Sequence, residues 1–260
     1  MDFELVESNL RQSFRALAPA RPRSAVVELP GVSIAALGVQ FQMFNSAFLS
    51  SRVLSEDDLL RRLDTAREFF RRQGTDWSFW FCEDWLGWLA RHRLQGICGR
   101  FSLRRASEMP GMIAREIKPE THLLPQLTVL PVRTPGILRD FQAVGAQCFH
   151  VPPGWFSEVF DSPEPARRPG FRTLVAYLDG EPVATAACVP SPGALGLYNI
   201  ATIPAYRGRG IGEAVTRQAV AAGLAETGPL PVVLQSSPLG KDLYQRLGFR
   251  TVARISVYNS

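Results

Sequence analysis

Lysine is almost absent from this sequence. It occurs only at Lys118 and Lys241, so the 29 basic residues are nearly all arginine, set against 24 acidic ones for a net charge of +5. The basic residues are spread along the chain and mixed with acids, without the arm or stripe that a nucleic-acid binder carries. A modest positive balance suits a small anionic ligand instead. Cysteine is scarce too. Cys82, Cys98, Cys148 and Cys188 stand far apart with no CxxC pair, and no histidine sits at metal-ligand spacing, which argues against zinc. Mostly buried free thiols are the expectation. No apolar run is long enough to span a bilayer, and the opening MDFELVESNLRQSF has no apolar stretch of the kind a signal peptide carries. These absences point to a reduced, cytoplasmic protein with no metal, no nucleic-acid partner and no membrane partner. They say nothing about oligomeric state.

What is present is ordinary globular material: 260 residues, 46% of them apolar and 20% charged. That allows one large domain or two smaller ones. Residues 1–16 read as a short helix, APARPR (18–23) as a linker, and 25–37 as strands around the turn Pro30-Gly31. The clearest helix of the first half runs from Ser55 to Gln73. Ser55 is its N-cap, Glu56, Asp57 and Asp58 sit where the helix dipole favours anions, and Gly74 stops it. The aromatic run 77–82 reads as a buried strand. A helix over 84–94 and strand-like stretches to about 117 follow. The proline-containing segment Lys118–Pro125 reads as a boundary. This divides the chain into an N-terminal α/β domain, 1–125, and a second domain, 126–260.

The second half alternates in the order β-α-α-β-β-β-α-β-α-β. Strands are expected at 127–132, 171–178, 181–189, 195–203, 230–235 and 249–257. Helices are expected at 135–148, 154–160 and 210–225, with a last one capped by Ser237, carrying Pro238 at its first position and ending at Gly248. SPEPARRPG (162–170) reads as a loop and Asp179-Gly180 as a hairpin turn. The implied fold is α/β (α+β), a mixed central sheet that is mostly antiparallel before residue 203.

One stretch in this frame carries chemistry. YNIATIPAYRGRGIGEAV (198–215) places Arg207, Gly208, Arg209, Gly210, Ile211 and Gly212 between a strand and a helix. The first turn of a helix leaves N–H groups without partners, and their dipole favours an anion. Glycines let the backbone approach a phosphate and adopt positive φ, and arginines add charge-assisted hydrogen bonds. The stretch lacks the GK[ST] ending of a Walker loop and the GxGxxG spacing of a dinucleotide fold. By itself it is compatible with a surface turn or with an anion cradle.

Arg207-x-x-Gly210-x-Gly212 between strand and helix resembles the acetyl-CoA signature of the GNAT superfamily of N-acetyltransferases. LQSSPLGKDLYQRLGF (234–249) is similar to that family's later motif, a strand feeding a helix with a tyrosine just before Leu-Gly-Phe. The resemblance covers about 127–260. It implies a GNAT-like sheet and an acetyl-CoA (or other acyl-CoA) co-substrate. It also implies direct transfer of the acyl group to an amine of a small molecule or peptide. By the resemblance, Ile200, Ala201 and Thr202 pair with the pantetheine arm, and a main-chain N–H of this stretch, Thr202 included, polarises the thioester carbonyl. The N–H groups of 207–212 hold the pyrophosphate, and Tyr244 is the general acid for the departing thiolate. Ser237 stands where the family often has asparagine, which leaves that cofactor contact open.

The acceptor side is less defined. The strand 195–203 has no carboxylate, Glu181 reads as a solvated turn residue, and Glu213 reads as serving the helix N-terminus. His150 is read either as a base, alone or through water, or as a loop histidine. Trp155 and Phe156 are read either as walls of the acceptor pocket or as core. Cys148 reads as packing rather than a nucleophile. In the first half, LARHRLQGICGRFSLRRASEMPGMIARE (89–116) echoes LYQRLGFRTVARISVY (243–258), each reading helix, Arg-Leu, glycine, strand. Residues 1–125 are thus either a degenerate GNAT-like copy without the cradle or an unrelated α/β domain. An acyl-CoA-binding sensor or interaction module that performs no catalysis is the alternative function.

Overall fold

The computed structural model describes residues 1–18, 23–161 and 170–260, so most of the APARPR linker and nearly all of the SPEPARRPG loop lie outside the described residues. The chain forms α1 (Asp2–Leu17), β1 (Ala25–Leu29), β2 (Val32–Ala36), β3 (Asn45–Leu49), α2 (Glu56–Gln73), β4 (Ser78–Cys82), α3 (Trp88–Gly99) and β5 (Arg104–Ala114). Then follow β6 (Thr128–Pro131), α4 (Pro135–Phe149), α5 (Pro153–Val159), β7 (Arg172–Leu178), β8 (Glu181–Ser191), β9 (Ala194–Thr202), α6 (Ile211–Thr227), β10 (Val232–Gln235), α7 (Lys241–Arg246) and β11 (Arg250–Asn259). Among the described residues no helix is long and apolar enough to cross a membrane.

Local chemistry sets most of these elements where the sequence places them. In α2 the Ser55 hydroxyl accepts from the Asp58 N–H at 3.1 Å, and Gly74 closes the helix in the left-handed conformation. Such a cap stabilises a helix by about 1 kcal/mol. Asp179 (φ 53°) and Gly180 (φ 86°) turn β7 into β8, the double positive φ that an Asp-Gly hairpin supplies. The differences lie at boundaries and in one omission. The expected helix at 84–94 is a short 3-10 turn at Glu83–Trp85 followed by α3, which starts later and runs longer. The last helix begins at Lys241, because the Ser237 hydroxyl accepts from the Gly240 N–H and caps the preceding turn rather than α7. β8 continues through Pro190 to Ser191. β3 escaped the sequence reading because its five residues are all buried and therefore show no alternation.

All eleven strands join one sheet in the order β1-β2-β3-β4-β11-β5-β10-β9-β8-β7-β6. Each half repeats one pattern. Antiparallel strands lead to a parallel pair, β3 with β4 and β9 with β10, linked by α2 and by α6 respectively. A helix then feeds a long strand, α3 into β5 and α7 into β11. The echo between 89–116 and 243–258 falls on those matching elements. The two long strands pair with each other and with the opposite half: β5 lies between β11 and β10, and β11 between β4 and β5. Helices cover both faces. α2 and α3 pack on the Phe79–Phe81 side of the first half, and α6 and α7 on the Val232–Leu234 side of the second. α1 crosses the opposite face over Trp80, Ile113, Val233 and Ile255, so it spans both halves. Gly196 makes that crossing possible, since a side chain there would overlap the Asn9 amide oxygen. Asn9 Nδ2 donates to the Val189 carbonyl (2.9 Å), and the Tyr198 hydroxyl donates to Asn9 Oδ1 (2.6 Å).

Burial also holds weak acids of the core in their protonated form. It pushes the Cys98 thiol up to about 12, the Cys188 thiol up to about 11 and the Tyr258 phenol up to about 12, and raises Cys82 and Tyr198 further. Folded-state values above the unfolded ones mean that the folded chain binds more protons once pH passes the unfolded thiol and phenol values, about 8.5 to 10. The stability is complete below those values and is lost as pH rises from them toward the folded-state values of about 11 to 12. With only two lysines, little of the loss can come from lysine ion pairs. The melting temperature is expected to be flat from about pH 7 to 8 and to fall steeply above about pH 10. A melting temperature at pH 11 equal to that at pH 7 would contradict this account.

Candidate functional site: a cleft where β9 and β10 part

The parallel pair β9–β10 is hydrogen-bonded only at its start, with Val232 opposite Leu195 and Val233 opposite Gly196. Beyond Gly196 the strands diverge. A bulge in β9 drives this: Asn199 adopts φ 49°, the register against β8 slips there, and the Thr185 hydroxyl donates to the Asn199 carbonyl at 2.8 Å. From 200 to 202, β9 stays paired to β8 on one side only. The Ile203 N–H donates to the Val183 carbonyl. By the alternation of an antiparallel ladder, the main-chain groups of Thr202, one residue earlier, therefore face the open edge.

A cleft of about 610 Å³ occupies the gap. Ile200, Ala201 and Thr202 line it, with Arg207, Gly208, Gly210, Ile211 and Gly212 from the loop and start of α6, and Ser237, Gly240 and Tyr244 around α7. The loop is shaped by its glycines. Gly208 (φ 76°) and Gly210 (φ 78°) both take the left-handed conformation, and Gly210 is the N-cap of α6. Among the described residues no acceptor meets the N–H groups of 208–213, while the Ala214 N–H begins the helical ladder by donating to Gly210. Six successive unpaired donors at the positive end of a 17-residue helix make an anion-binding concavity.

Of the two loop arginines, Arg207 lines the cleft and Arg209 does not. Arg207 turns back along the strand, its Nε donating to the Thr202 carbonyl at 3.0 Å. Its guanidinium also faces Cys148, where it partly offsets the burial that raises that thiol. A half-buried thiol held protonated suits packing rather than nucleophilic attack. Arg209 stacks over the Tyr206 ring at 5.4 Å and is outside the lining. The cradle therefore rests on main-chain donors more than on side chains.

Tyr244 is buried, and burial pushes its phenol well above the usual range. Its ring lies edge-on to Phe249 at 5.7 Å, and a side chain at Gly240 would press on it at 2.9 Å. His150 also lines the cleft. It ends α4 in the left-handed conformation (φ 54°) and is exposed. Trp155 and Phe156 are not among the lining residues. Phe156 is buried beneath Gly145 and among Phe141 and Phe160, and Trp155 donates to Gln40 Oε1 at 3.0 Å and packs on Phe41.

Sequence reading did not anticipate His122, Arg246 and Leu243 in the lining. Glu213, read as a helix-terminus residue, is in the first turn of α6, buried and locked by Arg217 at 2.8 Å. The same device stands in the first half at equivalent helix positions, Asp58 with Arg62 at 2.8 Å. There, however, Arg62 also donates to the carbonyls of Ser51, Arg52 and Gly31. The Val53 N–H donates to Trp85, so the chain just past β3 is tied to that following β4. The first turn of α2 carries Glu56, Asp57 and Asp58. An anion at that end would meet three carboxylates.

A family model described as an acetyltransferase (GNAT) domain matches residues 169–251. No curated protein matches the chain. Among solved structures, the chain is similar to a GCN5-related N-acetyltransferase from Kribbella flavida, at 18% identity over 99% of this chain and 95% of that one, TM-score 0.69. A GCN5-related N-acetyltransferase from Sphaerobacter thermophilus matches at 15% identity over 88% and 76%, TM-score 0.58. A tandem GNAT protein from the clavulanic acid biosynthesis pathway matches at 12% over 97% and 94%, TM-score 0.56. At these identities the likeness is one of fold, and it extends over nearly the whole chain.

Proposed function

We propose that this chain, which carries a GNAT acetyltransferase domain over residues 169–251 and the GNAT fold over nearly its full length, is an acyl-CoA-dependent N-acyltransferase acting by direct attack of an amine. Acyl transfer in general follows from the family and fold. The observation that carries the finer reading is the parting of β9 and β10 beside six unpaired N–H donors. The residues present fit acetyl-CoA: an open strand edge, an anion cradle and a buried phenol line a single cleft.

Bound there, acetyl-CoA supplies an acyl group activated as a thioester. The open edge of β9 at 200–202 offers main-chain partners to an extended arm. The N–H groups of 208–213 bind the pyrophosphate oxygens. The Thr202 N–H, on the open edge, donates to the thioester carbonyl as negative charge develops there. Tyr244 holds a proton at its hydroxyl for the departing thiolate, and its burial keeps that proton in place at working pH. Neutralised by Arg217, Glu213 removes its own repulsion from the cradle. His150 lines the same cleft and is the residue this reading assigns to the acceptor side. The closed and acidic counterpart at α2 supports a single cofactor site in the second half and a supporting first half. We read the two halves as two GNAT-like units that exchange β5 and β11.

Calorimetric titration with acetyl-CoA is expected to show one site per chain. Gly210→Val, which needs a left-handed valine, is expected to weaken binding at least tenfold. Absence of heat and of thermal stabilisation with the wild-type chain would overturn the reading. The only carboxylate in the described lining, Glu213, is already paired, and this favours keeping a non-catalytic acyl-CoA sensor as the second reading. Release of free CoA across a panel of amines separates the two, since a sensor releases none.

A further inference from the structure

The segment between the two halves is fixed against the helices that build the cleft. The Lys118 N–H donates to the Leu247 carbonyl at the end of α7 (3.0 Å), and Arg217 Nη1 of α6 donates to the Lys118 carbonyl (2.7 Å). Further along, Pro125 and Leu124 fill the space beside Gly210, 3.2 and 3.3 Å from where a side chain would begin. Between these anchors the chain carries His122 into the lining of the cleft. Its Nε2 is 3.9 Å from the vacant Cβ position of Gly210 and 3.8 Å from Glu213 Oε2. Its Nδ1 has a long contact with the Thr121 hydroxyl (3.4 Å). The imidazole is half exposed.

We propose that His122 is a phosphate-contacting residue of the acyl-CoA cradle, supplied by the segment joining the halves rather than by the glycine loop. The proposal rests on the reading of the cleft as an acyl-CoA site. Three observations carry it. First, each loop arginine already has a partner: Arg207, which lines the cleft, donates through Nε to the Thr202 carbonyl, and Arg209, outside the lining, stacks on Tyr206. Second, the Glu213 charge is already paired by Arg217, two of whose nitrogens contact Oε1, and the 3.8 Å from His122 Nε2 to the other oxygen, Oε2, is too long for a hydrogen bond. Third, Nε2 is beside Gly210, at the N-cap whose following N–H groups are unpaired, and it presents a donor there when it carries its proton. Side-chain recognition of the phosphate thus includes a residue from outside the glycine motif, and the first half reaches the cofactor through this one residue.

The test is calorimetry with CoA on the wild-type chain, His122→Ala and His122→Gln, alongside thermal melting without ligand. The expected result is about a tenfold loss of affinity in His122→Ala, the lower range for a hydrogen bond to a charged group. His122→Gln, which keeps a donor, should recover part of it, and the unliganded melting temperatures should be unchanged. Inorganic pyrophosphate as a second probe should show the same order of affinities, which assigns the contact to phosphate rather than to pantetheine. Wild-type CoA affinity in His122→Ala would overturn the proposal while leaving the cleft assignment intact. A lowered melting temperature with unaltered affinity would make His122 a structural partner of Glu213, also against the proposal. If the wild-type chain binds no CoA, the assignment of the cleft itself fails, a distinct outcome.

Discussion

Residues 126–260, produced without the first half, are expected to give no cooperative thermal transition and no CoA binding. The reason is in the sheet. β10 and β11 do not touch each other; β5 separates them and pairs with both. Removing it leaves β10 with its short contact to β9 alone and strips β11 of both neighbours, since β4 is lost as well. It also removes α1, which covers Val233, Ala253, Ile255 and Val257, and the Asn9 amide that accepts from Tyr198. Domains of this size are stable by only roughly 5–15 kcal/mol, a small margin against losing two strand partners and a covering helix. Co-expression of 1–125 as a separate chain is expected to restore a folded, CoA-binding complex. A fragment 126–260 that melts cooperatively by itself would show that the halves are independent and that the strand exchange is dispensable.

Tyr244→Phe is expected to lower turnover by about a hundredfold or more, the scale of a general acid, with CoA affinity within about twofold of wild type. Burial raises the phenol above its ordinary value near 10. The proton is therefore present across the working range, and Tyr244 causes no loss of rate until pH is well into the alkaline region. The phenylalanine ring preserves the contacts with Phe249 and Gly240, so folding is not at issue. Turnover equal to wild type would take Tyr244 out of the acid role. A parallel loss of CoA affinity would make it a binding residue instead.

The two results bear on different links of one chain of cause. The first concerns whether the cleft can exist without the first half, and the second concerns what the cleft does once formed. The sequence was far more informative about the second. RGRGIG between strand and helix, and a tyrosine ahead of Leu-Gly-Phe, each lie within a few residues, and their geometry is local: positive φ at Gly208 and Gly210, and a short helix presenting Tyr244. What side chains do at range was not legible. Arg207 was expected to add a hydrogen bond to an anion; it lines the cleft, but its Nε donates to Thr202, because an unpaired carbonyl on the open strand edge lies within its reach. Phe156 belongs to the core because Gly145 leaves room for its ring, a fact no spacing reveals. His122 lies in a stretch that reads only as a boundary.

By itself, the sequence determined the Ser55 and Gly74 caps of α2, the Asp-Gly hairpin, the alternation of the second half and the glycine turn that frees the N–H groups of α6. Each depends on backbone preferences and hydrogen bonds spanning a handful of residues. Only the tertiary structure decided that β5 and β11 cross to the opposite half, that α1 spans both, that β9 and β10 part beyond Gly196, and that residue 122 faces residue 210. Those choices are made by which apolar faces bury together and which strand edges are left to pair. They join positions far apart in the chain, where local propensity has no influence.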